Sequence, residues 1–105
     1  MNRRHALPNR RPSETTEFIR DGSRYRMTVG YFPGGAVGEV FLNADRGDSS
    51  LDVLISDAAI LISLAIQYGA TPLELAHAIK RDSRGRASSP IGEALDRIAA
   101  PEMMK

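Results

Sequence analysis

The sequence predicts an α+β domain, a three-stranded antiparallel β-meander followed by three helices packed on one face. Three observations carry that prediction. Residues 14–42 alternate polar and apolar side chains around two glycine-bearing turns. Residues 50–68 are apolar with helical spacing, and Thr71-Pro72 and Ser89-Pro90 each open a further helix with a cap followed by proline.

The first hairpin is set by Asp21-Gly22, flanked by TTEFIR and SRYRMTVGYF. Folding there places Arg20 opposite Ser23, Phe18 opposite Tyr25 and Glu17 opposite Arg26. An aromatic pair and an opposite-charge pair each stabilise facing strands by about 0.2–1 kcal/mol. A second turn falls at Pro33-Gly34-Gly35 before AVGEVFLN. Val40 and Leu42 then join Tyr25, Met27 and Val29 on the core face. The other face carries Glu17, Ile19, Arg24, Arg26, Thr28, Glu39 and Phe41.

Asn43 to Ser49 reads as a loop. Ser49 or Ser50 caps a helix running to Tyr68, with Asp52 in its first turn and Gly69 as its stop. Thr71, Pro72 and Glu74 form a capping box for a second helix ending near Lys80. A basic loop follows, and Ser89-Pro90 opens a short third helix from Ile91 to about Ala99, with Pro101 as its stop. Residues 1–13 hold four Arg, two Pro and no acid, and read as a flexible basic arm. The organisation expected is therefore an arm over 1–13, one domain over 14–100 and a tail over 101–105.

On a helical wheel, Leu51, Leu54, Ile55, Ala58, Leu61, Ile62 and Ala65 form the expected core stripe of the long helix. Val53, Ile60 and Leu64 form a second apolar stripe, and Asp52, Ser56, Ser63 and Gln67 a polar strip. A helix apolar around most of its circumference needs cover on more than one side, which a homodimer supplies. Val53, Ile60 and Leu64 are the candidate dimer interface. Asp57, beside the second stripe, is a carboxylate that reads as an ion-pair or edge residue.

The chemistry is mostly excluded. The chain has 105 residues, 14 Lys+Arg against 13 Asp+Glu, and no cysteine. Disulfides, thiolate metal sites and thiol redox chemistry are ruled out. His5 and His77 stand alone, without metal-ligand spacing, so no metal or cofactor is expected. No nucleophile elbow, phosphate loop or dinucleotide fingerprint is present. The Arg46-Gly47-Asp48 tripeptide reads as chance. With no signal-peptide pattern and no apolar run of membrane length, the expected location is cytoplasmic, away from membranes. One constellation remains: Arg84 and Arg86, leading into Ser88, Ser89 and a helix N-terminus, make a candidate anion or nucleic-acid site. Arg24 and Arg26, beside Phe41 on the outer sheet face, are further candidate contacts.

The phrases GGAVGEVFLN, SDAAILISLAIQYGATPLELAHAI and SSPIGEALD together resemble the TSCPD domain, over residues 14 to about 98. LPNRRPSET is similar to the run that leads into that module. The resemblance implies a module found near the C-terminus of cobalamin-dependent ribonucleotide reductases and also as stand-alone small proteins. The signature naming the family falls on Ala87 to Ile91, where its cysteine is Ser89 and its aspartate is Ile91. Reduction of ribonucleotides requires cysteines and a cobalamin-binding barrel, so the resemblance implies a non-catalytic accessory or interaction module. A homodimer, and a reductase or other protein partner, are the associations expected. A small nucleic-acid- or nucleotide-binding protein is the alternative.

Overall fold

The computed structural model describes residues 3–45 and 49–103. The Arg46-Gly47-Asp48 tripeptide and the end of the expected tail, residues 104–105, lie outside them.

Asp21 and Gly22 both adopt positive φ, 50° and 79°, which matches the right-handed twist of the strands they join. Strands β1 (Ser13–Arg20) and β2 (Ser23–Tyr31) therefore pair in the expected register, with Phe18 against Tyr25 and Glu17 against Arg26. The Phe18 and Tyr25 rings stack with centroids 5.4 Å apart. Strand β3 (Val37–Ala44) pairs antiparallel with β2, giving the order β1-β2-β3. Met27 faces Leu42 and Val29 faces Val40, and a register shift between Gly30 and Tyr31 absorbs the second turn. Those four side chains and Tyr25 are buried, as the period-two pattern predicts.

Three helices follow: α1 (Ser50–Gln67), α2 (Pro72–Ala78) and α3 (Pro90–Met103). The Ser49 side chain caps α1 by accepting from the Asp52 N–H, and Gly69 (φ 115°) ends it. There the N–H groups of Gly69 and Ala70 bond back to the carbonyls of Ile66 and Ala65. The Thr71–Glu74 capping box of α2 is complete, with both bonds formed at 3.0–3.1 Å. Helix α3 starts under Ser89, whose hydroxyl accepts from the Gly92 N–H. It continues past Pro101, where the sequence expects a stop. The missing N–H of Pro101 removes one partner from the last turn, a smaller loss there than in a helix interior.

Ile55, Ala59 and Ala94 close the core against the sheet, while Ala76, Leu95 and Ala99 join α2 to α3. Arg20 ties the hairpin end to α3 through Glu93 (3.2 Å) and the Ala87 carbonyl (3.0 Å). Arg97 lies over the Phe18 ring at 4.7 Å.

Two expectations need correction. Leu54 and Leu61, assigned to the core stripe, are each 67% exposed, and Leu51 is exposed too. The helix is turned by about one residue's step, ~100°, from the expected orientation. By length and composition α1 is also long and apolar enough to cross a membrane, where the expectation from the sequence is no run of that length.

Candidate interaction surface

The turned orientation of α1 follows from what it lies against. In an antiparallel sheet, alternate residues of an edge strand point their backbone groups away from the partner strand. For β3 those residues are Gly38, Val40, Leu42 and Ala44. Each meets a side chain of α1. Gln67 Nε2 donates to the Gly38 carbonyl at 3.0 Å. Ser63 Oγ accepts from the Val40 N–H at 2.9 Å, and its hydroxyl can donate to either the Val40 or the Ala59 carbonyl oxygen, each 2.9 Å from Oγ. Ser56 Oγ donates to the Leu42 carbonyl, and Asp52 Oδ1 accepts from the Ala44 N–H at 2.8 Å.

The dimensions agree. Positions 52 to 67 span ~22 Å of helix at 1.5 Å per residue, and positions 38 to 44 span ~20 Å of strand. The polar strip of α1 thus runs antiparallel to β3 and stands in for a fourth strand. Ser63 and Gln67 are buried as a result.

The opposite side of α1 is left outward and apolar. Val53 and Ile60, two of the candidate interface residues, are 51% and 50% exposed, while Leu64 is half-buried. Leu51, Leu54 and Leu61 extend the same surface. The wheel assigned these leucines to the core. The spacing of Asp52, Ser56, Ser63 and Gln67 along one line was the signal that could have placed them outside. Asp57 lies on this outward side and is exposed.

The candidate anion residues do not form one surface. Arg24 and Arg26 alternate with Tyr25 and Met27, so they project from the outer sheet face, near Glu17, Asn43 and Asp45. Ile19 and Phe41 are exposed on that face. Arg84, Arg86, Ser88 and Ser89 lie on the helical side of the sheet, in the loop leading into α3. There Asp82 accepts from the backbone N–H groups of Arg84 (2.8 Å) and Arg86 (2.9 Å) and pairs with the Arg86 guanidinium at 3.2 Å. These contacts hold the Asp82 carboxyl below the usual carboxylate range, the Arg86 N–H contributing most. Ser89 is committed to capping α3, and the Ser88 N–H bonds to the Lys80 carbonyl. Arg81 grips Asp96 at 2.6 and 3.0 Å, which raises its own pKa. The backbone N–H groups of Arg84, Arg86 and Ser88 are thus met by the loop's own chain, while the Arg84 and Arg86 side chains stay exposed.

The basic arm, expected to be flexible, is bonded to the domain over several residues. The His5 N–H donates to the Gln67 carbonyl at 2.7 Å, and Arg4 Nε to Gln67 Oε1 at 2.7 Å. Arg11 pairs with Glu39, which raises the Arg11 pKa and leaves Glu39 only 7% exposed. Gly38 makes room for the arm: a Cβ there would come within 2.6 Å of the Leu7 side chain. A cleft of about 510 Å³ lies between the sheet and α3, lined by Met27, Val29, Val37 and Ile98 with Glu14 and Tyr31 among its polar groups. Tyr31 donates to Glu14 at 2.9 Å, and burial, then Glu14, raises its pKa. Among the described residues, no three His, Cys, Asp or Glu side chains group as metal ligands.

Comparison with known proteins adds the relatives. The chain is 38% identical over 71 residues to the vitamin B12-dependent ribonucleotide reductase of Streptantibioticus cattleyicolor, covering 68% of this chain and 12% of that protein. The reductase of the same name from Streptomyces clavuligerus is also 38% identical over 71 residues, 7% of its length. That from Agrobacterium fabrum is 35% identical over 71 residues, 6% of its length. The chain therefore spans only a small part of these relatives. No solved structure matches. The TSCPD domain model matches residues 2–99, nearly the whole chain, and the protein belongs to the TSCPD domain family.

Proposed function

We propose that this chain is a non-catalytic, cytoplasmic accessory module of ribonucleotide reduction that works as a homodimer. The observation that carries the reading is the outward side of α1, with five large apolar side chains exposed on one 18-residue helix. Surfaces of that kind mark protein contacts. The relatives named above support the link to ribonucleotide reduction, and the small matched segment, 12% or less of their length, supports a role as a module beside the reaction. A chain without cysteine has no thiol to donate electrons or carry a radical. Its role is to bind, either to a reductase or to another protein.

Light scattering of tag-free protein at tens of micromolar should give twice the 11.5 kDa chain mass. The isolated chain should reduce no ribonucleotide and retain no cobalamin through gel filtration. A folded monomer removes the dimer from the reading, and turnover or retained cobalamin removes the accessory role.

The outer sheet face favours a second reading, in which Arg24 and Arg26 beside exposed Phe41 bind single-stranded nucleic acid or a nucleotide. Binding of single-stranded DNA that weakens steeply with salt, and that is lost in an Arg24→Glu, Arg26→Glu variant, would favour it over the first.

A further inference from the structure

We infer that two copies of this chain pair antiparallel through α1, with the two-fold axis passing at Leu61. The inference rests on the homodimer reading and specifies how the copies meet. The most exposed side chains of the helix, Leu54 and Leu61, are seven residues apart, and Tyr68 lies seven further on. Residues spaced by seven keep one side of a helix toward a partner helix. Val53 and Ile60 flank that line at the same spacing.

The area is sufficient. The exposed parts of these side chains amount to on the order of 500 Å² per chain, so covering them across a two-fold buries about 1,000 Å², the size at which an interface becomes specific.

Asp57 selects the register. It and Asp52 are the only charged residues of α1, and Asp52 is turned inward onto β3. A two-fold between residues 57 and 58 would bring two Asp57 carboxylates together in an apolar contact, which costs more than it gains. A two-fold at Leu61 sets Asp57 opposite Ala65 of the second copy, and Leu54 opposite its Tyr68. The two Asp57 positions are then eight residues apart along the axis, ~12 Å, beyond the ~8 Å screening length.

The absence of cysteine makes the test direct. Leu61→Cys and Leu54→Cys place single thiols at positions of equal exposure, 67% each, so reactivity alone does not separate them. A residue on the two-fold meets its own copy within disulfide reach, and Leu54 does not. Under mild oxidation, Leu61→Cys should run mostly as a covalent dimer on a non-reducing gel, with Leu54→Cys and Asp57→Cys at least tenfold less linked. Preferential linking through Asp57→Cys or Leu54→Cys would overturn the register. If no variant links while light scattering still gives a dimer, the copies meet elsewhere; the inference then fails and the homodimer survives. A folded monomer overturns both. So does a monomer that sediments with phosphatidylcholine vesicles, which would assign the apolar side to a lipid surface.

Discussion

The buried side of α1 is mixed, with Ile55, Ala59 and Ile66 inside and a polar strip beside them on β3, whereas its exposed side is apolar. Its inward side toward β3 carries Asp52, Ser56, Ser63 and Gln67, and its outward side carries Val53, Leu54, Ile60 and Leu61. A helix lying on the face of a sheet meets side chains and should be apolar there. A helix lying along the edge of a sheet meets backbone N–H and C=O groups, and only polar side chains can satisfy them. The neighbour, not the helix's own pattern, decides which side is buried.

The largest effect is expected where that inward ladder is broken. Ser63→Ala leaves the buried Val40 N–H without its partner and should cost about 1–3 kcal/mol in urea unfolding. Leu61→Ser, measured on the monomer, should change stability by less than about 0.5 kcal/mol, although it removes a large apolar group, because Leu61 is exposed. Equal losses from the two would break the comparison.

A smaller and sharper effect is expected in amide exchange. The Val40 and Ala44 N–H groups point away from β2 yet are held by Ser63 and Asp52. On β1 the outward groups are those of Thr15, Glu17 and Ile19, which have no such cover among the described residues. Their exchange should be more than about tenfold faster than that of Val40 and Ala44 in the same sheet.

The smallest effect concerns the loop before α3, where ordinary exposed polar contacts replace the buried ladder. The Asp82 carboxyl is depressed by the Arg86 and Arg84 N–H groups and the Arg86 side chain. A depressed acid contributes stability that is fully present above its unfolded pKa of about 3.9, and loses it as pH falls through the folded value. Chemical shifts of Arg84 and Arg86 amides should therefore move with a midpoint below the ordinary aspartate value of about 3.9. In Asp82→Asn that movement should vanish.

What the sequence makes legible is what nearest neighbours decide. Asp21-Gly22 admits one tight turn, and the turn fixes every pair of β1 with β2. Thr71, Pro72 and Glu74 contain a whole cap within four residues. The apolar excess of α1 is equally readable. Which side faces out is marked only by the line of Asp52, Ser56, Ser63 and Gln67, and what that line meets, the strand edge at Val40, lies 23 residues away from Ser63. The pairing of Arg11 with Glu39 spans 28 residues and has no local signal, so the arm reads as unattached. The sequence places Arg24 and Arg26 on the sheet and Arg84 and Arg86 in a loop, but how far apart the two groups lie depends on the fold.

The hydrogen-bonded edge of β3 also limits how the sheet can grow. A sheet with two open edges can accept a strand on each side and so add copies without end. Here one side already terminates on α1 of the same chain. Any strand-to-strand contact between copies must use β1 on both, and such a contact is complete at two. Fibre growth through this sheet requires α1 to detach first, so the rate of fibril formation on heating should follow the loss of α1 from β3 and not the exposure of β1.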